Sequence, residues 1–560
     1  MVYLYLIQAY TLFQEGGYEM SNTITILKGN AIFDGTGSEP FAGAIVVEGN
    51  RIKEVIRGID PKLPAYPGAN VQIMEYDNNL IMPGFNDCHT HISQGAFLDD
   101  ENFGINVLEA PSKKDAVMML KDFGDTHPEN EWIIGFMMNN LLWEDQTLPT
   151  RYDIDAVIAD RPAVFQLADL HTIIANTCAI EKVGYTDNTP NPEDGILEKD
   201  ENGVLNGRFF DGASFIFTEA IYNASDDVYL SVYRNFFKKL SRLGITSTSL
   251  LSPFGVSKDP VKIYEKMEEN GELTARVCLY PNLAEYEKNS YDELLAKHHD
   301  GKIRLQGLKQ LIDGVTAVFT AYLLEPYTNN PETCGKTSIE LDVFHEQMMK
   351  AIADGRPVRV HTIGDKAIRV VLDYFEEAKE KYGEQGLRHV QEHIENVHPD
   401  DIGRFAELGV ACAMQPMHML FDLEGDDKEK AIGPERCKHA WPMREILDTG
   451  AVVGLSSDFP VVEIEPLHEV YGAVTRQTFS GKPDGGWYPE QKITLAEALK
   501  AYTWGSAYIE GCENDFGTLE EGKLADIIVL DRNLFDIEPI DFIDGEAVLT
   551  MLDGQIVYQK

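Results

Sequence analysis

The chain has 560 residues, and 48 Lys and Arg against 92 Asp and Glu leave a formal net charge of -44. That excess repels phosphate backbones and anionic membrane surfaces, so nucleic-acid and membrane partners are disfavoured and a small-molecule substrate is expected. With 44% hydrophobic residues over this length, the chain can bury a large core and is too long for one ordinary domain.

The first residues, Met1 to Ile7, are apolar but carry no basic segment, and Glu15 and Glu19 follow well short of the ~20 residues that a membrane span needs. Residues 1–19 therefore read as an N-terminal extension. From Thr23 onward short β segments are expected at Thr23–Leu27, Ala44–Val47 and Val71–Met74. The far end holds strands of the same kind at Leu524–Leu530, Ala547–Leu552 and Gln555–Tyr558, so residues 20–80 and 510–560 are expected to build one composite β-sandwich.

Between these ends, over residues 81–509, apolar strands alternate with amphipathic helices, the sign of a parallel α/β architecture. Eight strands are expected, at Phe85–His91, Ile245–Leu251, Arg276–Tyr280, Leu305–Ile312, Val358–Ile363, His389–Ile394, Val410–Gln415 and Val452–Ser457. Helices over Val343–Ala353, Lys366–Lys381 and Pro399–Leu408 separate several of them. The count suggests a (β/α)8, TIM-like barrel. The gap after the first strand, about 150 residues, is far beyond a normal connection and implies an inserted, substrate-shaping region over about 100–240. That region has its own strand, Ala163–Leu167, and a Gly-rich β-like stretch, Gly195–Arg208.

The first barrel strand ends in His89-Thr90-His91. In an extended chain alternate side chains share a face, so the two histidines can grip one metal ion. Active sites of such barrels lie at the C-terminal strand ends. His361, His393 and Asp458 fall at or just after the ends of the fifth, sixth and eighth strands, and Lys309 lies within the apolar fourth. Seven widely spaced cysteines, with no Cys-x-x-Cys among them, indicate a reducing, cytoplasmic setting.

Pro83-Gly84-Phe85-Asn86-Asp87-Cys88-His89-Thr90-His91, Leu308 to Gly314, His361-Thr362-Ile363-Gly364-Asp365-Lys366-Ala367, Glu392-His393, Gln415-Pro416-Met417-His418, Ser456 to Pro460 and Gly517 to Asp526 together resemble the amidohydrolase superfamily. Within it they are similar to the YtcJ-like group that includes N-substituted formamide deformylases. The resemblance implies that His89, His91, His361, His393 and Asp458 bind one or two divalent metals, usually zinc, bridged by Lys309 after its carboxylation by carbon dioxide. It also implies that Trp143, His171 and His418 face the substrate, with Asp365 and Glu392 supporting the metal histidines. Ser456, Thr362 and Lys366 depart from the family's usual Gly, Ala and Arg, and none removes a ligand.

The expected reaction is metal-assisted hydrolysis of a C–N bond in an amide, N-formyl or cyclic amide substrate, with Asp458 as the proton carrier. Deamination of a ring amidine, lactone or phosphotriester hydrolysis on the same centre, and a non-catalytic regulatory role stay open. So does assembly as a homodimer.

Overall fold

The computed structural model describes residues 23–560 apart from 168–170, 193, 252–259 and 426. The expected extension over residues 1–19 and Leu170 lie outside the described residues.

Both chain ends share one seven-stranded sheet. Thr23–Ile32 lies between Phe41–Glu48 and Asn70–Pro83, the latter pairing in turn with Ile527–Leu530. The first contact is parallel, Ile24 opposite Val71, and the last is antiparallel, Ile527 opposite Pro83. Leu27, Ile45, Ile81, Ile527, Val529 and Leu549 form a buried cluster of their own within this sheet. Alternating β-branched residues supply that face, as the pleat requires. Arg276 fastens the sheet to the rest of the molecule: its buried guanidinium donates to Asp526 at 2.8 and 3.0 Å and also pairs with Asp553.

The central strands are all parallel and form two sheets. Four of them run in the order Ile303–Leu305, Arg276–Tyr280, Ile245–Leu251, Phe85–Thr90. Five more run Leu308–Leu311, Val358–Thr362, Val390–His393, Ala411–Met414, Val453–Leu455. Single bridges join the sheets at both edges, Thr90 to Phe459 and Asn282 to Lys309. The expected fourth strand, Leu305–Ile312, is thus two strands. At Gly307 the backbone leaves Leu279 for Pro357, with Gln306 N to Leu279 O at 3.1 Å and Leu308 N to Pro357 O at 3.0 Å. A Cβ at Gly307 would lie 2.8 Å from Pro357 O and 3.1 Å from the Tyr280 ring, so the crossing needs glycine. Helices Leu341–Ala353, Asp365–Tyr382 and Pro399–Leu408 separate the later strands as expected.

One side chain crosses the interior between the two sheets. Fully buried Arg359 donates to Glu392 Oε1 at 2.6 Å, to Cys88 O at 2.6 Å and to Ser249 Oγ at 3.3 Å, with its guanidinium 4.5 Å from the Tyr280 ring centre. Five strands from both sheets therefore meet at one cation.

The long connection after Phe85–Thr90 carries a six-stranded sheet of its own, from Ile105–Asn106 to Leu205–Asp211. Part of it has a separate core that includes Leu120, Phe123, Trp143, Ile154 and Phe165. Among the described residues no helix is long and apolar enough to cross a membrane, and all seven cysteines are free.

Candidate metal centre

Val358 and Val360 point away from Arg359 and His361 because side chains alternate along a strand. Lys309 lies opposite Arg359 and Glu392 opposite His361 in the ladder, so these four share the inner face, whereas His393 falls opposite Thr362 and leaves the alternation through its left-handed backbone. At these strand ends three backbones take a left-handed conformation, His393 at φ 71°, Ile394 at φ 53° and Asp458 at φ 62°. Such residues persist where surrounding contacts over-determine them, and they concentrate at functional sites.

Asp458 stands between four of the imidazoles. Its Oδ1 is 3.1 Å from His89 Nε2 and 3.2 Å from His91 Nε2; its Oδ2 is 3.7 Å from His418 Nε2 and 3.9 Å from His393 Nδ1. Two donor sets result, His89–His91–Asp458 and His393–His418–Asp458, each with its ligand atoms within 4.8 Å of one another. His361 packs against His393 with ring centres 4.3 Å apart. Burial would raise the Asp458 carboxyl, but the surrounding imidazoles, His89 foremost, outweigh it and hold the group well below the usual range.

The outer nitrogens of the rings are committed to acceptors. His89 Nδ1 is 2.6 Å from Glu392 Oε2, His91 Nδ1 is 2.8 Å from Leu251 O, and His393 Nδ1 is 2.9 Å from Gln415 Oε1. An acceptor on Nδ1 places the ring proton there and leaves Nε2 as a lone-pair donor, the arrangement that metal-binding histidines use. Gln415 is itself fixed by donating to Ser456 Oγ at 2.9 Å. Ser456, where the family usually has Gly, thus steadies the His393 ring through Gln415. His361 differs, with its Nε2 3.5 Å from Gly314 O.

The Lys309 amine is buried and has no hydrogen-bond partner among the described residues. It makes no ion pair with Asp313, which instead accepts backbone N–H groups of Tyr322, Ile363 and Gly364 at 2.9, 3.1 and 2.8 Å. Burial pushes the lysine pKa down to about 8. An orphaned interior amine among imidazole and carboxylate donors is costly unless a further group engages it. Borderline-soft divalent ions such as zinc suit this N/O donor set. The residues present therefore fit the metal site that the sequence implies. If so, the chelated protein will unfold at lower temperature than the zinc-saturated one, because a ligand at 1,000 times its Kd adds about 4 kcal/mol. Differential scanning calorimetry with and without chelator checks this.

Of the three residues expected at the substrate, His418 stands at the centre, its Nε2 3.7 Å from Asp458 Oδ2. His171 sits on the inserted sheet with its side chain 64% exposed and Asp211 Oδ1 4.0 Å away. Trp143 is buried in the insert's own core, and its indole N–H donates to Ala110 O at 2.7 Å. That carbonyl is stranded in Trp143→Phe, which should destabilise the insert by about 1–3 kcal/mol in urea unfolding. Asp365 accepts the backbone N–H of Leu324 at 2.8 Å, whereas Glu392 holds His89. Sequence reasoning missed Arg359, Glu395 and Lys428. Arg359 had a signal, since it shares strand parity with His361. Lys428 had none: it lies in a helix 33 residues from its partner Glu395, at 2.6 Å.

The amidohydrolase family model matches residues 73–558. YtcJ of Bacillus subtilis is 29% identical over 556 residues, covering 98% of this chain and 98% of that protein. N-substituted formamide deformylase of Arthrobacter pascens is 24% identical over 532 residues, covering 93% of this chain and 95% of that protein. An uncharacterized metal-dependent hydrolase from Pyrococcus furiosus superposes with a TM-score of 0.72 at 25% identity, covering 92% of this chain and all of that one.

Proposed function

Because the chain belongs to the amidohydrolase family and is a metal-dependent hydrolase, we propose that it cleaves the C–N bond of an amide, N-formyl or cyclic amide substrate. The observation that carries this reading is the convergence of His89, His91, His393 and His418 on Asp458, beside a Lys309 amine that has no hydrogen-bond partner among the described residues. In this reading the two parallel sheets are the halves of one (β/α)8 barrel, closed by the Thr90–Phe459 and Asn282–Lys309 bridges. The end sheet is its satellite β-sandwich, and the inserted sheet shapes access to the centre.

His89, His91, His361, His393 and Asp458 would hold one or two divalent ions, with zinc the best match to the donors. Bound zinc supplies a water acidified to a pKa of about 7 and polarisation of the substrate carbonyl. Asp458, kept ionised by its imidazole neighbours, accepts the proton of the attacking water and delivers it to the departing amine nitrogen. His418 donates from Nε2 to the carbonyl oxygen, while Glu395 Oε1, 3.6 Å from Nδ1, orients the ring. Glu392 and Gln415 keep the other rings turned.

Lys309 is the candidate for carboxylation, since its amine lies among cation ligands with no acceptor of its own and a carbamate would supply two oxygens there. Wild-type protein given bicarbonate and zinc is expected to hold ~2 ions per chain, as two-metal sites require. Lys309→Ala should lose at least one of them in metal analysis by mass spectrometry, and a stoichiometry near one in the wild type would remove the bridge.

The reaction class is tested by offering the zinc-loaded protein N-formyl, N-acyl, cyclic amide, ring amidine, lactone and phosphotriester compounds. Turnover confined to the last three classes would refute the assignment of the bond.

A further inference from the structure

We propose that the hollow beside the metal centre, walled by Val315, Phe421, Val461 and Val462 over a floor of Glu395 and His418, receives a compact, uncharged apolar substituent of the scissile amide. The proposal rests on the hydrolase reading above and adds a substrate class to it.

The hollow measures about 210 Å³. Val315, Phe421 and Val461 at its rim are 43%, 56% and 63% exposed. Single exposed apolar side chains are ordinary, but three turned into one concavity mark a surface kept for a ligand. A water takes about 30 Å³, so the space suits a branched alkyl group or one ring and is small for a drug-sized molecule.

Position ties the hollow to the chemistry. Val315 follows Gly314, whose carbonyl is 3.5 Å from His361 Nε2. Glu395 comes two residues after His393, and the Val461 N–H donates to Asp458 O at 2.9 Å. His418 belongs both to a donor set and to the lining. A substituent in the hollow is therefore joined directly to atoms held at the centre.

The charges in the wall are spent on one another. Lys428 Nζ, itself buried, donates to Glu395 Oε2 at 2.6 Å and to Thr316 Oγ1 at 3.0 Å, lies 3.3 Å from Asp422 Oδ2, and sits 4.3 Å from the Trp441 ring centre. Among the described residues the lining offers Glu395 and Asp422 and no Lys or Arg, and its one imidazole, His418, already faces Glu395 through Nδ1 and Asp458 through Nε2. A carboxylate-bearing substituent would meet two acids with no Lys or Arg to pair with, so the same wall that accepts an apolar group rejects an anionic one.

Two measurements on the zinc-loaded protein test this, one of them independent of turnover. A neutral fluorinated cyclohexanol, followed by fluorine NMR, is expected to bind the wild type saturably. Its affinity should fall at least tenfold in Val461→Trp and in Val315→Trp, which fill the hollow from two separate exposed positions of its lining. Among formamides, N-cyclohexyl is expected to exceed both N-methyl and a carboxylate-bearing analogue of equal size in kcat/KM by about tenfold or more, the scale at which added apolar carbons are discriminated. The cyclohexyl-to-methyl ratio should then drop at least tenfold in the Trp variants. Absent probe binding, or binding unchanged in both variants, overturns the hollow as a ligand site. An equal or higher rate with the carboxylate analogue overturns the selectivity. Normal probe binding with no amide hydrolysed would instead refute C–N cleavage and leave the hollow standing.

Discussion

Replacing His89 and His91 together by Ala is expected to abolish both bound metal and turnover while leaving the fold nearly intact. The two Nε2 atoms are the nearest nitrogens to Asp458 Oδ1, at 3.1 and 3.2 Å, so their loss removes two of the three atoms of one donor set. The fold tolerates this because Phe85–Thr90 is held by its parallel backbone ladder to Ile245–Leu251, which uses no imidazole. Glu392 is not left as an unpaired buried charge either, because its Oε1 keeps Arg359 at 2.6 Å. That distinction decides the outcome: stripping one partner from a buried pair costs about 3–5 kcal/mol, and here the ion pair itself survives. Metal analysis by mass spectrometry and far-ultraviolet circular dichroism read the two halves. A folded double variant with full metal content would show that the centre lies elsewhere.

The residues that converge at the strand ends were legible because each stands at a place where strand geometry acts on sequence. His89-Thr90-His91 has the spacing of one strand face, and His361, His393 and Asp458 come where a parallel strand must end. Terminal strands were legible by alternation, and the structure sets strands from residues 23–83 and 527–559 in one sheet. The fourth central strand was not. Its apolar run reads as continuous from Leu305 to Ile312, and only the steric fit of Gly307 against Pro357 and Tyr280 divides it.

Trp143 shows a different limit. Its assignment came from likeness of local sequence, and local sequence does not say which face of an inserted sheet meets the centre. An indole bound to Ala110 O and packed among insert residues is equally compatible with the same letters. The hollow was invisible for a related reason: its walls come from segments around residues 315, 395, 421 and 461, brought together only by the fold. Arg359 shows what parity could still have revealed. A basic residue inside a buried strand, two positions from a ligand, must find a carboxylate on a neighbouring strand, and Glu392 is there.

Asp458→Asn is expected to lower kcat by 10²- to 10⁴-fold, roughly 3 to 5 kcal/mol of barrier, with at least one metal ion retained. Asparagine is the informative replacement because the backbone at this position has φ 62°, a region that Asn enters about as readily as Asp and Ala does not. The variant therefore keeps the turn that follows Val453–Leu455 and keeps an oxygen that can face His89 and His91. What it removes is the negative charge and the ability to take a proton. If Asp458 only shaped the site, KM and metal content would change together while kcat at neutral pH stayed near the wild-type value. If it carries the proton from water to the leaving nitrogen, kcat and kcat/KM should fall by similar factors, the signature of an interaction made in the transition state. A substrate with a leaving group that needs no proton separates the roles further: on an activated aryl amide the deficit should shrink, because only the removal of the water proton is then lost. An unchanged kcat on ordinary amides would take Asp458 out of the proton path and leave it as a ligand alone.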